Sequence, residues 1–408
     1  MKGYLLPDVT VSGIDGLVQQ KEIAMQRPTN VSQIGMDCHQ KFSTVTARDG
    51  EGQIVWRQRL EHADRPALRT QLRAWPPGTP VVLEGTFGWG WMADELLAAH
   101  LDPHLASSRK VAAWRDARGL AKSNRTDADL LAELYAERTR WWEVWLAPPA
   151  VRQQREWLRS RMALVRIQTG LKNRMHAVLH RHGIVPESSD LFGVAGRHFL
   201  QRLVGAPNEQ LPASGRATLR GDLQLLDHVR RQIAQATREF RRQVVQHAGA
   251  ETLRSLPGIS YVLAYTIAAE IGVLERFRTN RHLVSYSLLA PRAADSGEDD
   301  GLAPRGRHVG KAGRRTLKWA WIEAAHGAVH SGGLWRKTFD ARTNGGRRDR
   351  NRGYIAVARR LCVTAAACWR KGVPYSPVPP ARPGSRRAAC AARPGTGQPD
   401  TAMVPAAQ

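Results

Sequence analysis

The chain has 408 residues, enough for two or three domains with sizeable cores. Its 61 Lys+Arg against 36 Asp+Glu give a formal charge of +25 and an isoelectric point near 11. That excess calls for an anionic partner, nucleic acid first, and argues against an ordinary metabolic enzyme. The cations are spread along the whole chain and not gathered on one amphipathic helix, which argues against a membrane surface. No apolar run is long enough to span a bilayer, and the first 30 residues lack the basic start and apolar core of a secretory signal. Cys38, Cys362, Cys368 and Cys390 show no zinc spacing, so the expectation is a reduced, cytoplasmic protein without a structural zinc.

Residues 1–30 show no sustained period and read as a flexible leader. Three extended runs follow: Ile34-Gly35-Met36-Asp37, then Lys41–Ala47, then Gln53–Trp56 after the turn Asp49-Gly50-Glu51-Gly52. Short β-prone runs split by Asp-Gly predict a meander. Pro66–Trp75 fits a helix ended by Pro76-Pro77-Gly78, and Val81-Val82-Leu83-Glu84 fits a buried strand with an acid at its end. A helix near Met92–His100, a short strand near His104–Ala106 and further helices complete the order βββ-α-β-α-β-α. This is the order of an RNase H-like (RuvC-like) domain, expected over residues 31–147.

Asp37 ends the first strand, Glu84 ends the fourth, and Asp127 opens a helix through the run Lys122–Asp129. Singly, each acid reads as a cap or a solvated strand end. Together, at those positions, they predict a carboxylate centre for Mg²⁺, a hard cation that takes oxygen ligands. Three packed carboxylates repel one another, so a cation would also resolve an electrostatic problem.

Residues 148–249 shift to long polar helices. Val151–Arg181 holds eight Lys/Arg and a single Glu beside an apolar stripe of Leu158, Met162, Val165, Leu171, Met175 and Val178. A second stripe, Leu219, Leu223, Leu226, Ile233, Phe240 and Val244, runs close to heptad spacing, with an irregular stretch Gly183–Ser214 between the two. Two antiparallel helices or a coiled-coil dimerisation stalk both fit. The scarcity of acids predicts a phosphate-contacting face of Arg152, Arg155, Arg159, Arg166, Lys172 and Arg174.

A mostly helical domain is expected over residues 250–371. Leu256-Pro257-Gly258-Ile259 is similar to the turn of a helix-hairpin-helix module, and equally to a plain helix start. A basic loop, Arg305–Arg315, includes Lys311, Arg314 and Arg315, further candidates for phosphate contact. Ser296 sits in a Gly- and Asp-rich turn, where a serine ordinarily bonds its own backbone. Residues 372–408 hold eight of the 23 prolines, among many Ala and Arg, and read as a disordered tail.

In this order and spacing, Ile34–Asp37, Val81–Glu84, Lys122–Ala132, Leu256–Ile259, Ala269–Gly272, Tyr286–Pro291, Ser296-Gly297 and Lys311-x-Gly313 carry a resemblance. The chain resembles the IS110-type insertion-sequence transposases, the bridge-RNA-guided DEDD recombinases, over roughly residues 31 to 370. The resemblance implies a RuvC-like domain, a helical linker and a C-terminal transposase domain. It implies that Asp37, Glu84 and Asp127 are three of four metal-binding acids and that Ser296 is the nucleophile, activated by the metal site in a composite centre across subunits. The fourth acidic position falls on Asn124, and Asp129 lies about 200° around a helix from Asp127. Leu288 stands where the family commonly has Gly.

The implied partners are DNA, a guide RNA and further copies of the chain in a dimer or tetramer, with Mg²⁺ as cofactor and a bacterial, nucleoid-associated location. Two other readings stay open: a RuvC-type junction resolvase in which the acids act alone, and an inactive nucleic-acid-binding remnant.

Overall fold

Strand β1, Gln33–Cys38, is buried along its whole length and is the centre of a six-stranded sheet. The structure, a computed structural model, describes residues 30–86, 88–137, 139–205, 210–292, 308–309, 313–347 and 349–377. The chain divides into two compact units, Met1–Gln153 and Gln154–Gln408.

In the first unit β1 pairs antiparallel with β2 (Phe42–Arg48), which pairs antiparallel with β3 (Ile54–Glu61). The predicted Asp-Gly turn joins β2 to β3. Asp49 Oδ1 accepts the backbone N–H groups of Glu51 and Gln53, and Gly52 takes the left-handed φ of +79° that the turn requires. Helix α1 (Arg65–Arg73) starts at Asp64, whose carboxylate accepts from Ala67 N–H, and ends just before Pro76-Pro77.

Strand β4 (Pro80–Glu84) then runs parallel to β1, and after α2 (Trp89–Ala98) strand β5 (Asp102–Ala106) runs parallel to β4. Helices α3 (Ser108–Ala117) and α4 (Asn124–Leu134) precede a two-residue antiparallel edge, β6 (Glu143–Val144). The strand order is β3-β2-β1-β4-β5-β6, so the expected order holds, with β3 longer than its sequence signal and β6 added.

Alternation along the strands separates two cores. Ile34, Met36, Val81 and Leu83 pack with Leu68, Leu72, Met92 and Leu96 of α1 and α2. The opposite face carries Val82, which packs with Leu130, Leu131 and Leu134 of α4 and with Trp142. Gly35 lies on this second face against α4: a Cβ there would stand 2.1 Å from the Ala128 carbonyl oxygen and 2.2 Å from the Ala132 nitrogen. Only glycine permits that approach.

Asp129 ties the same helix to the meander. Its carboxylate accepts from Arg57 Nε (3.0 Å), Arg57 Nη2 (2.6 Å) and Thr46 Oγ1 (2.6 Å). Its carboxylate is therefore engaged by β2 and β3.

In the second unit α5 (Pro149–Arg181), which begins in the first, and α7 (Ala213–Gln246) run antiparallel, as the pairs Arg161–Thr237 and Arg174–Asp222 show. Leu171, Met175 and Val178 meet Leu219, Leu223 and Leu226. The two stripes thus cover each other within one chain and give no independent argument for a dimer stalk. The stretch expected to be irregular contains a further helix, α6 (Val194–Gly205), whose Phe199, Leu200 and Leu203 fill the same core.

Leu158, Phe240 and Val244 instead enter the core of the C-terminal region, so the helical stretch and that region form one unit. That core is built from α8 (Ala248–Arg254), α9 (Tyr261–Ile271), α10 (Asn280–Tyr286), α11 (Arg315–His330), α12 (Gly333–Thr343) and α13 (Arg350–Lys371), with a small hairpin of β7 (Pro291–Arg292) and β8 (His308–Val309).

The turn glycine Gly258 has φ +80° and packs against α11, where a Cβ would lie 2.3 Å from the Ala324 carbonyl oxygen, so its role is close packing. All but the last residue of the expected leader (1–29) and most of the expected tail (378–408) lie outside the described residues. Among the described residues no helix is long and apolar enough to cross a membrane.

Burial alone would raise the Asp129 carboxyl, but hydrogen bonds from Arg57 and Thr46 and the charges of Arg57 and Arg48 hold it below its ordinary value. A depressed carboxyl contributes stability above its unfolded pKa and loses it as pH falls through the folded one. Asp129→Asn is expected to cost about 1.5–3 kcal/mol near neutral pH. Urea unfolding of wild type and variant should show that gap closing as pH drops below the ordinary aspartate value of 3.8.

Candidate active site

The register of β1 against β4 sets Met36 beside Leu83, so the next residues, Asp37 and Glu84, end neighbouring parallel strands on one face. Strand parity makes it the face of Gly35 and Val82, the one that α4 covers. Asp127 lies in the first turn of α4 because Ser123 caps that helix, accepting from Thr126 N–H at 3.0 Å. Asp37 and Asp127 are 7% and 5% exposed, and Glu84 is half-buried. Asn124 is exposed at the first position of α4, three residues before Asp127 and on the same side of the helix.

Burial is the main reason that the Asp37 carboxyl lies above its ordinary value. The negative charges of Asp127 and Glu84 push the same way, and His39, whose Nε2 is 3.0 Å from Asp37 Oδ2, partly opposes them. Asp37 therefore feels the charges of both other acids. Asp127 also meets a cation of the chain: Arg115 Nη1 on α3 donates to Asp127 Oδ1 at 3.0 Å, with the two side chains 13% and 7% exposed. That hydrogen bond leads in raising the Arg115 pKa, helped by the charges of Asp127, Asp116 and Glu84.

Asp37, Glu84 and Asp127 offer only oxygens, the donors that a hard divalent ion takes. Among the described residues no three His, Cys, Asp or Glu side chains close on one ligating point, and Asp127 instead faces the guanidinium of Arg115. Arg115 and His39 escaped the sequence reading. Arg115 is one of 61 Lys+Arg, on a helix with no motif, and only the packing of α3 beside α4 singles it out.

Beyond this cluster, Ser296 and Lys311 lie outside the described residues. Near them, Leu288 adopts φ +56°, the left-handed region that favours the glycine expected there from the resemblance. Arg314 pairs with buried Glu270 at 3.3 Å, and Arg315 is exposed at the start of α11.

The proposed phosphate face of α5 is only partly a face. Arg159 and Arg166 are exposed, whereas Lys172 lies 5.0 Å from the centre of the Phe192 ring and Arg174 binds buried Asp222. Arg152 pairs with Asp94 and the Gly90 carbonyl. Arg155 corrects the expectation most clearly. It is 4% exposed and donates to the Ala269 and Glu270 carbonyls, and Arg276 donates to that of Ile271. These are the unpaired carbonyls at the end of α9, so Arg155 works as a helix cap inside the core and cannot reach a phosphate. Burial lowers its pKa to about 10, which still leaves it charged at neutral pH.

Comparison with known proteins points to one family. The DEDD transposase model of the IS110 group matches residues 34–184, which include Asp37, Glu84 and Asp127, and the model for the transposase IS116/IS110/IS902 family matches residues 250–340. A transposase for insertion sequence element IS1328 from Yersinia enterocolitica is 26% identical over 301 residues, covering 72% of this chain and 83% of that protein. A probable family 20 transposase from Pseudomonas aeruginosa is also 26% identical over 301 residues, covering 74% of this chain and 85% of its own length. With two models matched in order along the chain and two relatives aligned over most of their length, the chain belongs to the IS110 family of insertion-sequence transposases.

Proposed function

We propose that this transposase cuts and rejoins DNA by a Mg²⁺-dependent mechanism, with Asp37, Glu84 and Asp127 as metal ligands and Ser296 as nucleophile. The observation that carries the reading is geometric: strand register sets Asp37 beside Glu84 on the face that α4 covers, and the Ser123 cap puts Asp127 in the first turn of α4. Asn124, one turn from Asp127, would add an amide oxygen where the family's fourth acid falls. When bound, the ion polarises a phosphodiester and stabilises the developing charge on the leaving oxygen.

The chain's own residues supply the rest. The carboxylates hold their positions because α4 is locked by Gly35, Ser123 and Asp129. The Ser296 hydroxyl loses its proton and attacks a backbone phosphorus, giving a phosphoserine link and freeing a deoxyribose oxygen that takes up a proton. In this reading a structured RNA directs the site of joining, and the working form contains several copies of the chain. The exposed Arg159, Arg166 and Arg315 contribute to phosphate binding.

Strand transfer with DNA carrying the element's ends tests the chemistry. Asp37→Asn and Ser296→Ala are each expected to reduce joining by a factor of about 100 or more, and wild type should lose joining on chelation and recover it with Mg²⁺. Joining that survives in Ser296→Ala but not in Asp37→Asn would leave a resolvase-like reaction by the acids alone. Fluorescence anisotropy over a salt series tests the charge assignment. Arg159→Gln with Arg166→Gln should flatten the logarithmic salt dependence of DNA binding by about 2, roughly one unit per lost phosphate contact. Arg155→Gln should leave the slope unchanged and lower the melting temperature.

A further inference from the structure

Of the large apolar side chains exposed among the described residues, only Trp157 and Trp319 are aromatic. Trp157, 44% exposed, lines a groove of about 790 Å³ between α5 and α7. Ligand clefts usually measure about 300–1,000 Å³. Helical spacing builds both walls. Trp157, Ser160 and Leu164 recur every three or four residues along α5, as do Gln232, Gln235, Glu239 and Arg242 along α7. Arg161 Nε donates to Thr237 Oγ1 at 3.1 Å and ties the two helices together at this level.

The walls differ in chemistry. The α5 side offers an indole and a leucine, and the α7 side offers two amides and cations. Glu239 is taken up by its own wall, since Arg242 Nε and Nη2 and Gln243 Nε2 all donate to its carboxylate. Arg238 meets no carboxylate among the described residues, so the groove keeps a positive charge. From Arg231 to Arg242 the helix carries four arginines and one acid.

This combination suits unpaired nucleic acid better than an apolar partner helix. A nucleotide has an aromatic face for the indole, base edges for the glutamine amides and a phosphate for the guanidinium. An apolar helix laid in the groove would bury the Gln232 and Gln235 amides and the Arg238 charge without partners, at a cost for each.

We infer that the groove binds unpaired DNA, with a base stacked on Trp157, base edges on Gln232 and Gln235, and a phosphate on Arg238. A transposase parts base pairs when it exchanges strands, and the groove gives a parted strand a place to lie. The inference rests on DNA as the substrate, and on neither the acid cluster nor Ser296.

Fluorescence anisotropy of the full chain with an oligothymidylate of about ten nucleotides tests it, beside a blunt duplex of equal length. Trp157→Ala should weaken single-strand binding about tenfold and Trp157→Phe should restore most of it, with duplex binding within about twofold of wild type in both. Arg238→Gln should flatten the logarithmic salt dependence of single-strand binding by about 0.7, the value for one contact to a single strand. Both side chains are exposed, so the melting temperature should stay at the wild-type value.

Unchanged single-strand affinity in Trp157→Ala, or an equal loss on duplex, would overturn the inference. An oligouridylate bound in preference to the DNA, with the same dependence on Trp157, would overturn it in favour of RNA. Loss of self-association in Trp157→Ala on sedimentation without DNA, with strand binding intact, would overturn it in favour of a second copy. Asp37→Asn and Ser296→Ala, whatever their effect on joining, should bind the oligothymidylate as wild type does, so the groove and the proposed chemistry fail separately.

Discussion

The contact on which the rest of the first unit depends is that between Gly35 and α4. The Gly35 backbone lies so close to Ala128 and Ala132 that a single methyl group would collide with both. This closeness brings α4 flat onto the face of the sheet that carries Asp37 and Glu84, and so brings Asp127 to them. Two further interactions hold the helix in place: Ser123 fixes where it starts, and Asp129, bonded to Arg57 and Thr46, fixes its rotation. Packing brings Asp127 near enough that its charge, with that of Glu84, is felt at Asp37. An arrangement that raises the Asp37 carboxyl persists only because the surrounding contacts over-determine it.

Charge in this protein is less available than its total suggests. A formal +25 reads as a cationic surface, yet several of the arginines expected to meet phosphate are engaged by the chain's own groups. Arg155 caps the end of α9, Arg174 meets Asp222 and Arg152 meets Asp94. Each of these partners lies on another element, so counting signs along one helix could not find them. What stays exposed on α5 among the named residues, Arg159, Arg166 and the Asp222-paired Arg174, is a smaller set than the composition implied.

The same distinction explains how much was legible in the sequence. Element order, the Asp49–Gly52 turn and the strand positions of Asp37 and Glu84 followed from local signals: alternation, turn residues and acids at strand ends. The α4 start was legible only to within a few residues, from the acids of the run Lys122–Asp129, and the cap at Ser123 came from the structure. Helix α6 did not, because its glycines and flanking prolines mask an apolar face that only the hairpin of α5 and α7 completes. The heptad-like stripes were read correctly as buried, but their period cannot say whether the covering helix belongs to the same chain. Arg115 and His39 were invisible because their meaning lies in what faces them and not in their spacing.

On the proposed reading, strand register and the close seat of α4 make Asp37, Glu84 and Asp127 one oxygen-donor centre. Anomalous diffraction from crystals of the full chain grown with Mn²⁺ tests it most directly. The account predicts a peak ligated by oxygens of all three carboxylates at about 2.0–2.2 Å, the range for a small hard cation. A fully occupied Mn²⁺ elsewhere in the chain, with these three side chains turned apart and without density between them, would contradict it.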